Sequence, residues 1–303
     1  MKKLYHFAPM AVATLLMALM IAVFEALTYT SQVLLMPDIY IDVMAEYDVD
    51  DALYQGVDDY FAMYSRPTGI PKETFTDPLK QKELSSSSLR LVQDSIRYLA
   101  GRTDEKPEVK FDFTGLENSI TDYVESYAEA NNKEKDADYE KLIKNTIRIA
   151  EEQVRNRIDV MLMKKLCSSG FAQAIRKLAK YLVPAMIASG CVIILLIAVM
   201  VFIDRHHIAD LPYWFGTAMF SSSLLFLIPC LILKHGRKFD GFFISDAGVY
   251  RTVTGLLYTI TGDLITINGI LLTVGVMLIL FAQLIHLLRK KKAIKENESE
   301  TDD

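Results

Sequence analysis

Apolar and polar positions are sharply segregated along the 303-residue chain. Apolar residues form one block near the N-terminus and several in the last third, while charges crowd between Pro37 and Lys180. From Phe7 to Phe24 no charge interrupts the apolar residues, and the apolar character resumes after Thr30. Three further runs, Tyr181 to Ile203, Leu211 to Leu233 and Leu264 to Leu288, follow. Each reaches the roughly 20 residues that a helix needs to cross a hydrocarbon core. The pattern predicts an all-α membrane protein, with four transmembrane helices and a helical extracytoplasmic domain between the first and the second. The boundaries are residues 1–36 for the N-terminus and first span, 37–180 for the outer domain, 181–288 for the membrane domain and 289–303 for a charged tail. The tail is expected to be disordered beyond Lys295, because it holds too little apolar surface to fold.

Inside the polar region the apolar positions recur at helical rather than strand spacing. In VDDALYQGVDDYFAMYS, residues Leu53, Val57, Phe61 and Tyr64 step by four, four and three and share one face. The stretch from Arg66 to Ser88 holds PTGIP, TDP and SSSS and reads as turns and loops. Helix returns with LRLVQDSIRYLAG, whose stripe is Leu89, Leu91, Val92, Ile96 and Leu99 and whose stop is Gly101. Thr114 with Glu117 three residues on has the form of a capping box, opening a helix that ends at Asn131-Asn132. From Asp136 one long amphipathic helix is expected, carrying Leu142, Ile143, Ile147, Ala150, Val154, Ile158 and Met161. Its break falls at Ser168-Ser169-Gly170, before the second span.

Composition sharpens this picture in two ways. The chain is 51% hydrophobic yet 23% charged, a combination that a globular chain accommodates only by segregating the two. The net charge of -5 gives no basic signature for nucleic acid. The three cysteines, Cys167, Cys191 and Cys230, include no CxxC, so neither a disulfide framework nor a zinc knuckle is supplied. The first apolar core exceeds the roughly 7 to 15 residues of a cleavable signal peptide and no A-x-A site follows it, so it reads as an uncleaved signal anchor.

Orientation follows from the basic residues. Lys2 and Lys3 precede the first span and Arg289 to Lys292 follow the last, which places both termini in the cytoplasm and the protein in the plasma membrane. Lys164, Lys165, Arg176, Lys177 and Lys180 pull the other way, but long loops translocate largely regardless of charge.

The candidate chemistry is sparse. Glu25 is the only acidic residue in the first span, and an intramembrane carboxylate is by default a functional candidate. Asp204, His206, His207, Asp210 and His286 are residue types that ligate metals, though neighbouring histidines on a helix point in different directions. Asp240, Asp246 and Asp263, in the loop before the last span, are the carboxylates available to a membrane-surface active site. Ser221, Ser222, Ser223, Gly216, Ala218, Gly269 and Gly275 are the small residues that let membrane helices approach closely. No catalytic motif is present, so no catalytic, cofactor-binding or metal residue is assigned.

The order of one span, a large outer domain and three more spans resembles claudin-type four-helix proteins in topology. The Trp and Cys pair of their first outer loop is missing here, where the single Trp is Trp214. The topology also resembles the four-helix cell-division ABC permeases, and Asn145 to Leu166 looks like their cytoplasmic coupling segment. In that family a span precedes the segment; here DADYEKLIK does. The resulting expectation is a non-enzymatic accessory, sensor or partner-binding protein, embedded in the bilayer with a protein partner in the membrane or envelope. The alternatives are a membrane subunit of a transporter or ABC-type permease-like assembly, and a membrane-surface enzyme.

Overall fold

The computed structural model describes residues 2–205 and 208–300, with side chains for 7–205 and 208–291. Every described secondary-structure element is helical. In chain order the α-helices are α1 (Lys2–Tyr29), α2 (Asp38–Glu46), α3 (Val49–Thr68), α4 (Lys72–Thr76), α5 (Gln81–Leu99), α6 (Thr114–Ala130), α7 (Ala137–Ile158), α8 (Met163–Ser168), α9 (Gly170–Ile203), α10 (Leu211–His235) and α11 (Ala247–Glu300), with short π or 3-10 turns at Thr30–Leu34, Ile208–Asp210 and Lys238–Gly241. Four segments are long and apolar enough to cross a membrane: Phe7–Leu34, Gly170–Ile203, Ile208–His235 and Ala247–Lys291. The described chain forms two compact units. One comprises residues up to Gln32, Tyr181–Phe239 and the chain from Tyr258; the other comprises Val33–Lys180 and Asp240–Leu257.

In the first unit α1 packs against α10. Met10, Ala13, Met17, Ala18, Met200, Leu211 and Ala218 form its buried centre, flanked by Trp214 and Phe215. Much of the remaining apolar surface faces outward: Ile194 is 67% and Phe202 71% exposed on α9, and Leu15 and Leu19 are exposed on α1. Apolar side chains on the outside are what a lipid-facing surface requires and what water penalises. Gly216 and Gly275 bring α10 and α11 into backbone contact. A Cβ on Gly216 would stand 2.6 Å from the Gly275 carbonyl oxygen, and one on Gly275 would stand 2.8 Å from that of Gly216. Ala218, Ser222 and Ser223 are buried on α10, whereas Ser221 is exposed and Gly269 meets nothing within 4 Å.

In the second unit α3 is the hub, packing on α2, α4, α5 and α7. Its buried stripe is Val49, Ala52, Leu53, Val57 and Phe61, as the spacing predicts. Phe61 stacks on Phe75 of α4 with ring centroids 4.7 Å apart, and both rings are essentially inaccessible. Burying such a ring is worth about 3 kcal/mol or more against alanine. Gly101 and Asn131-Asn132 end α5 and α6 where predicted. In each, the residue beyond the cap takes a left-handed conformation, with φ of 71° at Gly101 and 49° at Asn132. The closing bonds are Arg102 N–H to the Arg97 carbonyl and Lys133 N–H to the Ala128 carbonyl. These are the six-to-one bonds of a Schellman cap.

Five sequence expectations are corrected. The serine run is not a loop: α5 starts at Gln81, and Ser87 and Ser88 lie buried on its inner face between Leu84 and Leu91, small enough for close packing. Thr114 does not cap α6. Phe113 is the N-cap, and the Asp112 carboxylate accepts the Thr114 N–H at 3.0 Å, while Glu117 faces Glu151. That bond holds the Asp112 carboxyl below its ordinary range.

The long helix from Asp136 breaks ten residues earlier than expected, at Asp159 rather than Ser169, although the one-residue break at Ser169 is also present. Asp159 turns its carboxylate onto the next helix, accepting Met163 N–H at 2.6 Å and Lys164 N–H at 3.0 Å. Leu162 adopts a left-handed φ of 53° to make the corner. The buried stripe of α7 is accordingly Thr146, Ala150, Val154 and Ile158, and Leu142 stays exposed. The helix that carries the last apolar run does not begin at Leu264 but at Ala247. Half of the expected loop is helix, because Asp246 caps α11 by accepting Val249 N–H at 3.0 Å. Finally, the tail expected to be disordered beyond Lys295 continues as helix to Glu300.

Candidate functional site

Among the described residues, a polar junction within the apolar spans joins two helices through a carboxylate and an amide. It starts from Glu25. An isolated carboxylate among lipid-facing residues costs several kcal/mol, so the fold must bring it a partner or keep it neutral. The partner is an amide. Asn268 of α11 donates from Nδ2 to Glu25 Oε1 at 2.5 Å. The same nitrogen donates to the Leu264 carbonyl at 2.9 Å. Both N–H bonds of the amide are thereby used, which fixes its orientation and turns Oδ1 away from them. One helical turn along, the Tyr29 hydroxyl of α1 donates to Asp263 Oδ2 of α11 at 2.9 Å. The pairs 25 with 268 and 29 with 263 run in opposite senses, so the two helices are antiparallel where they meet. The spacing of four puts Glu25 and Tyr29 on one face of α1.

The junction carries more polar atoms than bonds. Glu25 Oε2, Asn268 Oδ1 and Thr28 Oγ1 are buried without a hydrogen-bond partner. Asn268 is 0% exposed. Sequence reasoning names Glu25, names Asp263 only as a loop carboxylate for a membrane-surface active site, and misses Asn268, Tyr29 and Thr28. Asn268 is legible by the rule that flags Glu25, since it is a strongly polar side chain inside an apolar run. Asp263 is not, because its place before Leu264 reads as loop.

The remaining candidates are distributed elsewhere. Asp210 and His286 meet at 2.8 Å. Asp204 is buried, and His206 and His207 lie outside the described residues. Among the described residues no three His, Cys, Asp or Glu side chains are grouped to hold a metal ion. Asp246 caps α11 and forms an ion pair with Arg157 of α7. Asp263 is the acceptor for Tyr29, and the Asp240 carbonyl accepts from the Tyr250 hydroxyl. The cysteines are free: Cys167 and Cys230 are buried and Cys191 is exposed. Burial pushes the Cys167 thiol above its ordinary range, which makes it a poor nucleophile.

The second unit carries a groove of about 480 Å³ between the end of α3, the Gly69-Ile70 turn, α6 and α7. Tyr64, Tyr123, Tyr127, Leu142 and Ile149 line it. Tyr123 is held in place by its hydroxyl, which donates to the Gly69 carbonyl at 3.1 Å. Tyr127 and Leu142 are more than half exposed, at 54% and 56%. The sequence marks Leu142 as a core position; here it is part of an open aromatic and aliphatic surface.

Comparison with protein-family models, with curated proteins and with solved structures finds no match to this chain.

Proposed function

We propose that the chain is a non-enzymatic, multi-pass plasma-membrane protein that displays its helical unit outside the cell for a protein partner, with both termini cytoplasmic. The observation that carries this reading is the groove lined by Tyr64, Tyr123, Tyr127, Leu142 and Ile149. An exposed tyrosine, Tyr127, beside an exposed leucine, Leu142, with half-buried Tyr64, Tyr123 and Ile149 around them, is the composition of the energetic centre of protein interfaces, where a few aromatic anchors supply most of the affinity. The orientation is supported by Lys2, Lys3 and Arg289 to Lys292 at the two ends. One of the opposing basic residues is occupied within the helical unit: Arg176 pairs with Asp104 at 2.5 Å and lies over the Tyr98 ring at 4.2 Å.

The test is a photo-crosslinking amino acid placed at Leu142 and, separately, at the exposed Ser86, in native membranes. A discrete adduct from position 142 and none from position 86 is the expected result. No adduct from either, or equal adducts from both, removes the groove as an interface and the reading with it.

One observation favours a second reading, the membrane subunit of a transport assembly. It is the partly buried pairing of Glu25 with Asn268, since intramembrane ionisable groups recur on ion pathways. That reading expects ion flux in reconstituted vesicles that is abolished by Glu25→Gln.

A further inference from the structure

Two of the three unpaired atoms at the α1–α11 junction, Glu25 Oε2 and Asn268 Oδ1, share one explanation. A carboxylate at Glu25 is an acceptor at both oxygens, and Asn268 Oδ1 is also an acceptor only. The amide cannot relieve this by turning over, because both its N–H bonds are used, toward Glu25 Oε1 and the Leu264 carbonyl. In the ionised state two buried acceptors, Glu25 Oε2 and Asn268 Oδ1, therefore share the junction without a hydrogen between them. One proton changes the balance. Placed on Oε2, it converts one of the two orphans into a donor and leaves the other as its matching acceptor. It also removes the charge whose burial is the largest cost.

We propose that Glu25 and Asn268 form an intramembrane proton-binding site, occupied at neutral pH, in which the carboxylic acid and the amide pair edge to edge. The charged and titratable groups that face it are few. Cys230 of α10 is within electrostatic reach of Glu25. Asp263, with Tyr29, lies one turn along. Lys234 of α10 rests its Nζ against Gly262, 3.2 Å from where a Cβ would stand. Thr28, one turn from Glu25 on the same helix, supplies a further buried hydroxyl. Loss of the proton places a charge on α1 against the Asn268 carbonyl oxygen and weakens the α1–α11 contact. Binding of the proton restores it. The site requires neither partner binding nor transport, and its test reads protonation itself.

The experiment uses the full chain in lipid vesicles. The hydrophobic carbodiimide dicyclohexylcarbodiimide reacts with buried carboxylic acids and not with carboxylates: the acid O–H adds across one C=N bond, and the adduct rearranges to a stable N-acylurea. Mass spectrometry is expected to find Glu25 modified at neutral pH, with at least about tenfold less adduct once the pH is raised beyond its titration. Infrared spectra are expected to show a protonated carboxyl stretch that is absent from Glu25→Gln and displaced in Asn268→Leu. The pH series is read on the unmodified chain and stands if a variant fails to fold. Glu25 unreactive at neutral pH, with no protonated stretch lost in Glu25→Gln, overturns the proposal. Protection by sodium at constant pH also overturns it, since the unpaired oxygens would then be ligands of a metal cation.

Discussion

Asp159 shows how one side chain decides where a helix ends. The residue is 8% exposed, and its carboxylate is bonded to two backbone N–H groups at the start of α8. Desolvation raises its pKa, and the two bonds oppose but do not cancel that shift. The sign of the pH effect follows from linkage: a raised carboxyl pKa means the folded chain binds more protons than the unfolded one. Stability is therefore greatest below the unfolded pKa and falls as pH rises through the window between the unfolded and the folded value. Asp159→Asn is expected to flatten that slope, and Asp159→Ala to lower stability by about 1 kcal/mol or more through loss of the cap. Thermal unfolding of the full chain in detergent across a pH series reads both. Ser88 gives the opposite expectation. It is fully buried and its hydroxyl has no partner, so Ser88→Ala is expected to raise stability by up to about 1 kcal/mol. A fall in the midpoint for Ser88→Ala would show that the hydroxyl is satisfied after all.

At the scale of elements, helix ends and helix contacts separate by cause. Gly101 has a left-handed φ of 71° and no atom within 4 Å of where a Cβ would stand, so Gly101→Ala costs only backbone strain, about 1 kcal/mol. Gly216 is the reverse: its φ is ordinary and the nearest atom to an added Cβ is backbone. Gly216→Ala is expected to push α10 from α11 and lower the unfolding midpoint of the membrane unit by several degrees. Gly269→Ala is the matched control, within α11 and with open space around it, and is expected to be neutral or slightly stabilising because alanine favours helix. Equal losses in Gly216→Ala and Gly269→Ala would remove the close-contact account. The two helix stops, Gly101 and Asn131-Asn132, are legible in the sequence because left-handed caps depend mainly on residue type. The stop at Asp159 is not, because an aspartate within a helical pattern has many exposed roles and only its environment selects the cap.

For the whole molecule, the spans and the polar unit make the clearest expectation. If both termini are cytoplasmic and the unit between the first two spans lies outside, as proposed, a cysteine at Ser86, which is exposed on α5, is expected to be labelled by an impermeant maleimide in intact cells. Labelling seen only after lysis reverses the orientation and places the groove of Tyr64 and Leu142 on the cytoplasmic side. The length of α11 bears on the same map. Its 54 residues run about 81 Å, against a hydrocarbon core of about 30 Å. Most of that helix therefore lies outside any bilayer it crosses, although the apolar run alone marks only Leu264 to Leu288.

The sequence by itself determined the helical class, the four apolar segments and the inner face of α3. These rest on local periodicity and on the length of apolar runs, and neither needs a partner to be read. It also singled out Glu25, because a lone charge in an apolar run stands out against its neighbours. Only the tertiary structure decided what Glu25 meets. Asn268 lies on α11, far along the chain, and hydrogen bonds between distant helices leave no mark on the spacing of either one. The same holds for the serines of α5 and for Leu142, whose burial or exposure depends on which helix packs opposite: Ser88 is enclosed and Leu142 is open. Hydrophobicity ranks which residues gain from burial, but the packing of neighbouring helices settles which of them are buried.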